Sequence, residues 1–472
     1  RGYLMAKALG LGLVAFTIWI GGMTRVIPFT QGWTWLVAIG VGILGWKLFK
    51  KSAKVSWKIV IAEEVFFLAA LVFWTWIKGH EPTINGLEKF MDYGFTQSIL
   101  QGKYFPPADM WFAGKPINYY YFGHLMMAVL TRLSGMSLGY TFNLMLATIF
   151  ALCLTQSFAI GRQLLDKLPR VWAVGGAALI AYVVTLGGNL HTIYAFTEGY
   201  AGKEDNPPPF WELRWTPDEV GKYYWYPNAT RFIPWTIHEF PSYSFVVSDV
   251  HGHVLSIPLV LLAIALLVNK FGQEREEINW KEYGLYGWVA GLLFMTNALD
   301  GIIYLGLFTF LFVFQEFKSQ KSKVKITIQN LKNWGVTLGV AFLVFGITIL
   351  PFTTNFEPFV SGVAVNCPPA FLADTGATKL GPPKIGPFIF ETVDKCQKSP
   401  IWMMLVLWGF FVYCGIWYLL ERRGRGKERE FWLLGGFLLV SLGLIIFPEF
   451  FYFKDIYPLH FRSNTMFSSF HT

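Results

Sequence analysis

The chain has 472 residues, of which 54% are hydrophobic, 18% aromatic and only 15% charged. That balance excludes a disordered chain and an ordinary water-soluble domain, and points to a polytopic membrane protein. The net charge of +9 does not indicate nucleic acid, because the basic residues sit in short loops between apolar runs, where the positive-inside rule places them.

Tyr3–Gly22, Thr30–Phe49 and Trp57–Ile77 are each long enough to cross a bilayer at about 1.5 Å per residue. Lys47, Lys50, Lys51, Lys54 and Lys58 place the loop between the second and third in the cytoplasm. The third run therefore exits at Ile77. Glu63 and Glu64 lie inside it, and at least one is expected to face protein instead of lipid. Residues 78–117 then form an external loop. Glu88 and Asp92 are four apart in it, so on a helix they share a face. The stretch from Pro106 to Tyr121, which holds Lys115, Asn118 and Tyr120, is rich in aromatics and prolines, unlike an ordinary surface loop.

Phe122–Leu133 is apolar but short, and carries His124 and Arg132. Counted as a span, it would put Arg162, Lys167 and Arg170 outside. Read as a re-entrant or interfacial helix, it keeps them inside. The spans then alternate: Leu138–Ile160, Val171–Leu186, Val254–Lys270, Leu285–Met295, Gly301–Phe317, Trp334–Leu350, Ile401–Leu420 and Phe431–Phe447. The loops 190–245 and 351–399 fall on the external side. The basic clusters around Lys318–Lys325 and Arg422–Arg429 fall on the internal side. The expectation is an all-α polytopic membrane protein. It has about eleven transmembrane helices plus one re-entrant or interfacial helix, forming a single transmembrane domain over 1–472. The location expected is the cell membrane, with the working face extracytoplasmic. The chain opens on Arg1 and stops at Thr472, and is expected to be a piece of a longer protein.

Cys153 and Cys414 fall within spans, where a thiol behaves as a small apolar side chain. Cys367 and Cys396 share the loop 351–399, and a disulfide is expected there if that side is oxidising. The densest polar stretch, residues 228–253, holds Arg231, His238, Glu239, Asp249, His251 and His253 against the start of a span. Ionisable groups so close to hydrocarbon are costly unless they pair or line a wet cavity. Asp249, His251 and His253 have two-residue spacing. Extended, all three face one side and suit a divalent metal; in a helix only Asp249 and His253 align. A hydrogen-bonded Asp–His pair fixing a helix end explains the same residues without a metal.

Tyr119-Tyr120-Tyr121 follows a Pro-Pro-x-Asp-x-Trp-x-Ala-Gly run. Glu239-Phe240-Pro241, Asp249-Val250-His251-Gly252-His253, Thr296-Asn297-Ala298-Leu299-Asp300, and Asp455 with Arg462-Ser463-Asn464-Thr465 follow in order. Together these resemble the uncharacterised "YYY" membrane-protein family, a domain of unknown function, over nearly the whole chain. The departures are Gly252, where the pattern has Pro, and the stretch after Thr465, which is short and polar where the pattern has an aromatic helix. That family is grouped with the GT-C type of polytopic glycosyltransferases, which implies a polyprenyl-phosphate sugar donor and an acidic residue in the first large external loop. Glu88 and Asp92 occupy that place, with Asp249 as a third catalytic candidate. Such transfer needs a base for the acceptor hydroxyl and positive charge for the leaving phosphate. Arg231, Arg462 and Lys115 offer the charge, and Glu239, Tyr120, Asn118 and Asp300 are further substrate-binding candidates. A metal, Mg²⁺ or Mn²⁺, would be held by Asp249, His251 and His253. The expected partners are the lipid bilayer, a lipid-linked sugar donor and an acceptor that the sequence does not name, with no nucleic acid. The competing class is a non-catalytic lipid or solute transporter, or a scaffold subunit. A transporter predicts internal repeats and midplane charges, whereas the polar clusters here gather on one face.

Overall fold

The computed structural model describes residues 2–52, 56–86, 88–200, 207–271, 280–319, 328–372, 384–391, 396–422, 428–455 and 460–466. Lys54, Lys321, Lys323, Lys325, Arg423, Arg425 and Lys427, which the orientation argument uses, lie outside the described residues. The described chain is mostly helical. It divides into two compact units, Arg1–Gly187 with Ser244–Glu357, and Gly188–Tyr243 with Pro358–Thr472.

The first unit begins with α1 (Tyr3–Met23), α2 (Gln31–Ser52), α3 (Trp57–Gly79), α4 (Lys89–Gln101), α5 (Phe122–Ser134), α6 (Leu138–Leu164) and α7 (Arg170–Leu186). After α8 (Pro241–Val247) it continues with α9 (Gly252–Phe271), α10 (Trp280–Thr296), α11 (Ala298–Ser319) and α12 (Ile328–Thr353). α6 is the buried axis, with Leu146, Ile149, Phe150 and Cys153 closed to solvent and α1, α3, α7 and α9 packed round it. α10 lies so close to α12 that a Cβ on Gly287 would stand 2.2 Å from the Ala341 carbonyl oxygen. Only glycine lets those two backbones meet. Glu64 on α3 faces protein, as expected of a carboxylate in an apolar helix: the Tyr3 hydroxyl donates to it at 2.5 Å, and Lys7 pairs with it.

Helices stand in all eleven of the stretches read as spans. Among the described residues, seven are long and apolar enough to cross a membrane: α1, α3, α6, α9 and α12 here, and α13 (Ile401–Arg422) and α14 (Glu428–Phe450) in the second unit. The number becomes eight if α7 counts with the short helical turn after it. Among the described residues the expected count of eleven is thus not confirmed. α7 and α10 have 17 residues each, short for a hydrocarbon layer of about 30 Å at about 1.5 Å per residue. α5, the segment read as re-entrant, has 13 residues and is buried over most of its length. It stops at Gly135, whose φ of 69° is the left-handed cap that glycine supplies cheaply.

In the second unit α13 and α14 accompany a small four-stranded sheet of β1 (Val363–Val365), β2 (Lys384–Ile385), β3 (Phe388–Ile389) and β4 (Phe451–Phe453), in the order β2-β3-β1-β4. β1 runs parallel to β3 and antiparallel to β4, with Val363 opposite Phe388 and Phe453. The Cys367–Cys396 disulfide expected from the sequence is present. It ties the end of β1 to the segment entering α13. A second tie is Arg462, fully buried, whose guanidinium donates to Glu449 at 2.8 Å and to Ser399 Oγ at 2.7 Å.

Candidate functional site

α4 is a short amphipathic helix that buries Asp92, Phe95, Thr96 and Ile99. Those positions follow the i, i+3, i+4, i+7 spacing of one helical face. A carboxylate therefore sits on the core side, with no exposure at all. Its compensation comes from α5: His124 Nε2, equally buried, stands 3.0 Å from Asp92 Oδ1. Asp92 Oδ2 has no hydrogen-bond partner among the described residues. It lies 3.6 Å from His251 Nδ1.

His251 belongs to the turn between α8 and α9. The chain reverses at Ser248, whose φ of 61° is left-handed and costs a non-glycine residue about 1–2 kcal/mol. The turn is then fixed locally. The Asp249 N–H donates to Ser244 O at 2.9 Å, and Asp249 Oδ1 accepts the His251 N–H at 3.1 Å. The same oxygen accepts from His251 Nδ1, and His251 Nε2 lies 2.7 Å from Glu88 Oε2. One imidazole thus bridges two carboxylates, which requires protons on both ring nitrogens. Burial works against that charge. The hydrogen bonds to Asp249 and Glu88 outweigh it and raise His251 to about 11. Burial likewise pushes the Asp249 carboxyl up, but the His251 bond and the two nearby imidazoles bring it below the ordinary aspartate range. The His251 bond is also the main cause holding Glu88 low.

Two close approaches support this turn. Gly252 opens α9, and a Cβ there would lie 2.5 Å from the Thr296 carbonyl oxygen at the end of α10. Gly123 lets α5 meet α9, where a Cβ would lie 2.6 Å from that of Leu255. Gly252 is thus matched to its own surroundings, although the family pattern led us to expect Pro.

Glu88, Asp92, Asp249 and His251, singled out in two distant stretches, are therefore brought together. Glu88 is the exposed member, with 64% of its side chain open, and Asp92 lies behind it. One donor atom each from Asp92, Asp249 and His251 falls within a group 4.8 Å across. Two carboxylate oxygens, one of them unpartnered, suit a small divalent ion such as Mg²⁺ or Mn²⁺, and His251 could add an imidazole nitrogen only by giving up the proton it shares with a carboxylate. The expected set had His253 in place of Asp92. Because α9 begins at Gly252, the strand-like spacing is broken: His253 turns into the first helical turn, 3.7 Å from Asp249 Oδ2, its ring near-parallel to that of His251. Tyr119, which packs on Phe95 at 5.2 Å between centroids, has its hydroxyl pushed up by burial and by the charges of Asp92, Glu88 and Asp249. It lines the same place. His124 and Tyr119 were in view in the sequence but carried no role, since their partner sits on another helix.

The remaining candidates of the first unit have other partners. Asn118 clasps the Glu357 backbone, giving to its carbonyl at 3.0 Å and accepting from its N–H at 2.8 Å. Tyr120 stacks on Phe356. Lys115 is exposed in a tight turn closed by the Asp109 N–H. Asp300, in the first turn of α11, accepts from Ser256 Oγ at 2.6 Å and is buried. Arg231 and Glu239 belong to the second unit and face each other at 3.5 Å. Arg462, also there, is committed to Glu449 and Ser399. A buried guanidinium already matched by a carboxylate has less charge to offer the phosphate expected of it.

The sequence pattern of the uncharacterised membrane protein family DUF2298 matches residues 13–441. The chain belongs to that family. No curated protein and no solved structure matches it. For this DUF2298 protein the bilayer is thus the established setting, and the chemistry has to be read from the cluster itself.

Proposed function

We propose that this DUF2298 protein is a membrane glycosyltransferase that moves a sugar from a polyprenyl-phosphate donor to an acceptor on the extracytoplasmic side. The observation that carries the reading is the meeting of Glu88, Asp92, Asp249 and His251 at the ends of apolar helices. Three carboxylates in one small volume of a membrane protein are costly, and such clusters mark working sites. GT-C resemblance adds the donor class. The basic loops add the orientation.

In this reading Glu88 takes the acceptor hydroxyl. It is ionised and open to solvent, whereas Asp92 is closed. The acceptor oxygen forms the new bond to the anomeric carbon, its proton passes to Glu88, and the bond to the donor phosphate oxygen breaks with its electron pair. Polyprenyl phosphate leaves. His251 orients Glu88 through Nε2 and is itself fixed by Asp249 through Nδ1. His124 holds Asp92 facing His251. A divalent ion held by Asp92 and Asp249, with His251 as a further ligand only once its ring is neutral, would supply positive charge near the leaving phosphate.

The test uses the purified protein in nanodiscs with a panel of polyprenyl-phosphate sugars and detects released polyprenyl phosphate. At least one donor is expected to turn over, and Glu88→Gln is expected to slow it by about 10²–10⁴-fold, the usual contribution of a general base. Folded protein that binds such donors but releases polyprenyl phosphate from none of them would favour the transporter or scaffold class instead.

A further inference from the structure

Two lysines beside this cluster have no role in the chemistry above. Lys78 ends α3, an apolar helix long enough to span the membrane, and Lys89 opens α4. Each is only 8% exposed. Lys78 Nζ donates to the main-chain carbonyl of Glu81, a neutral partner. Lys89 makes no hydrogen bond or ion pair among the described residues. The two ammonium groups are close enough to repel each other. The nearest carboxylates act on them through space but are hydrogen-bonded elsewhere: Glu81 accepts from Thr83, and Asp249 is bonded to His251. Burial accordingly draws Lys89 below the ordinary lysine range, although Glu81 and Asp249 pull the other way.

Burying an ammonium without a hydrogen-bonded counter-charge is expensive, and a second ammonium near enough to repel it adds to the cost. The backbone adds to the same field. Lys89 is the first residue of a 13-residue helix whose N-cap, Glu88, makes no capping side-chain hydrogen bond. The opening N–H groups of α4 contribute positive potential to the same helix end, against the carboxylates of Glu88 and Asp92. A helix start combined with a buried, unpartnered lysine is a ready anion site.

We propose that Lys78, Lys89 and the start of α4 form a phosphate-binding site that receives the phosphate of a membrane lipid, the polyprenyl phosphate of the reaction above. The location at the end of an apolar helix is where a lipid phosphate lies. The neighbouring residue, Glu88, is the proposed base, so one helix end would hold the phosphate and meet the acceptor. The proposal rests on the glycosyl-transfer reading for its choice of lipid, but its test needs no turnover.

The experiment measures binding of polyprenyl phosphate and of inorganic phosphate to the nanodisc-embedded protein, for the wild type, Lys78→Met, Lys89→Met and Glu88→Gln. Polyprenyl phosphate is expected to bind the wild type, to bind Glu88→Gln at least as tightly because a neighbouring negative charge is gone, and to lose at least tenfold in affinity in both lysine variants. Inorganic phosphate that binds as tightly, with the same lysine dependence, would keep the anion site but assign it to a free phosphate. Equal lipid affinity in all four proteins overturns the proposal. Melting without ligand gives an independent reading. Removing a buried like charge is expected to raise the melting temperature of Lys89→Met. A fall would mean that the lysine is an ordinary structural residue, and would also overturn the site. Loss of turnover with lipid binding intact would count against glycosyl transfer, not against this site.

Discussion

Asp92→Asn separates a working cluster from a merely buried one. The change removes a charge from a side chain with no exposure and keeps its shape. With His251 protonated, the lost attraction across 3.6 Å is about 5 kcal/mol at an effective dielectric constant of about 20. The relieved repulsion between Asp92 and Asp249, whose oxygens lie within 4.8 Å, is at least about 3 kcal/mol on the same scale. The two nearly cancel, leaving a net cost of about 1–2 kcal/mol. The amide oxygen of the substituted side chain can still accept from His124, so no buried donor is orphaned. Asp92→Ala does orphan it, which adds about 1–3 kcal/mol, besides the cavity. Thermal unfolding in detergent should therefore rank the wild type just above Asp92→Asn and well above Asp92→Ala. Mn²⁺ binding followed by electron paramagnetic resonance should weaken at least tenfold in both variants, because a neutral amide is a poorer ligand than a carboxylate. If the two variants unfold alike, or if Asp92→Asn keeps its Mn²⁺ affinity, the placement of Asp92 in a charged, ion-competent cluster is wrong.

Gly252→Ala should disturb the site from outside it. The new methyl meets the Thr296 carbonyl oxygen at 2.5 Å, so the α8–α9 turn must shift, and overpacking of this kind costs about 1–3 kcal/mol. Unfolding midpoints and release of polyprenyl phosphate should both fall, and an unchanged protein would show that the turn has room. Glu449→Gln should destabilise the second unit by roughly 3–5 kcal/mol, because it leaves the Arg462 guanidinium buried without its carboxylate; a variant as stable as wild type but weaker in donor binding would favour Arg462 as a ligand. A cysteine introduced at Gly114, which is exposed, should label from outside intact cells, and labelling only after permeabilisation would invert the proposed orientation.

The helices were legible because a run of twenty apolar residues admits few other structures in a membrane protein. Every stretch read as a span holds a helix. Which of them is long enough to cross was harder to read, because α7 and α10 have only 17 residues each among the described residues. The disulfide was legible for a simple reason: two cysteines shared one loop. Within the cluster, Glu88, Asp92, Asp249 and His251 stood out as ionisable groups beside apolar runs. Their partners did not. His124 reads as one polar residue in an apolar helix until α5 is laid on α4, and Lys89 reads as a loop lysine until its burial is seen. The guanidinium of Arg462 is the opposite case, since a charge in a motif says nothing about the Glu449 waiting beside it. For His253 the helical of the two readings is the one seen: α9 begins one residue before it, and it aligns with Asp249 instead of with His251 and Asp249 together.

The central claim is that the Glu88–Asp92–Asp249–His251 cluster faces the reacting end of a lipid-linked sugar. Electron cryomicroscopy of the Glu88→Gln protein in nanodiscs with a bound polyprenyl-phosphate sugar tests it most directly. The account predicts sugar density against residue 88, with the anomeric carbon within about 4 Å of its side chain, as a near-attack arrangement requires, and with the phosphate over the start of α4. A well-ordered donor seated elsewhere, with this cluster closed and untouched, would contradict it.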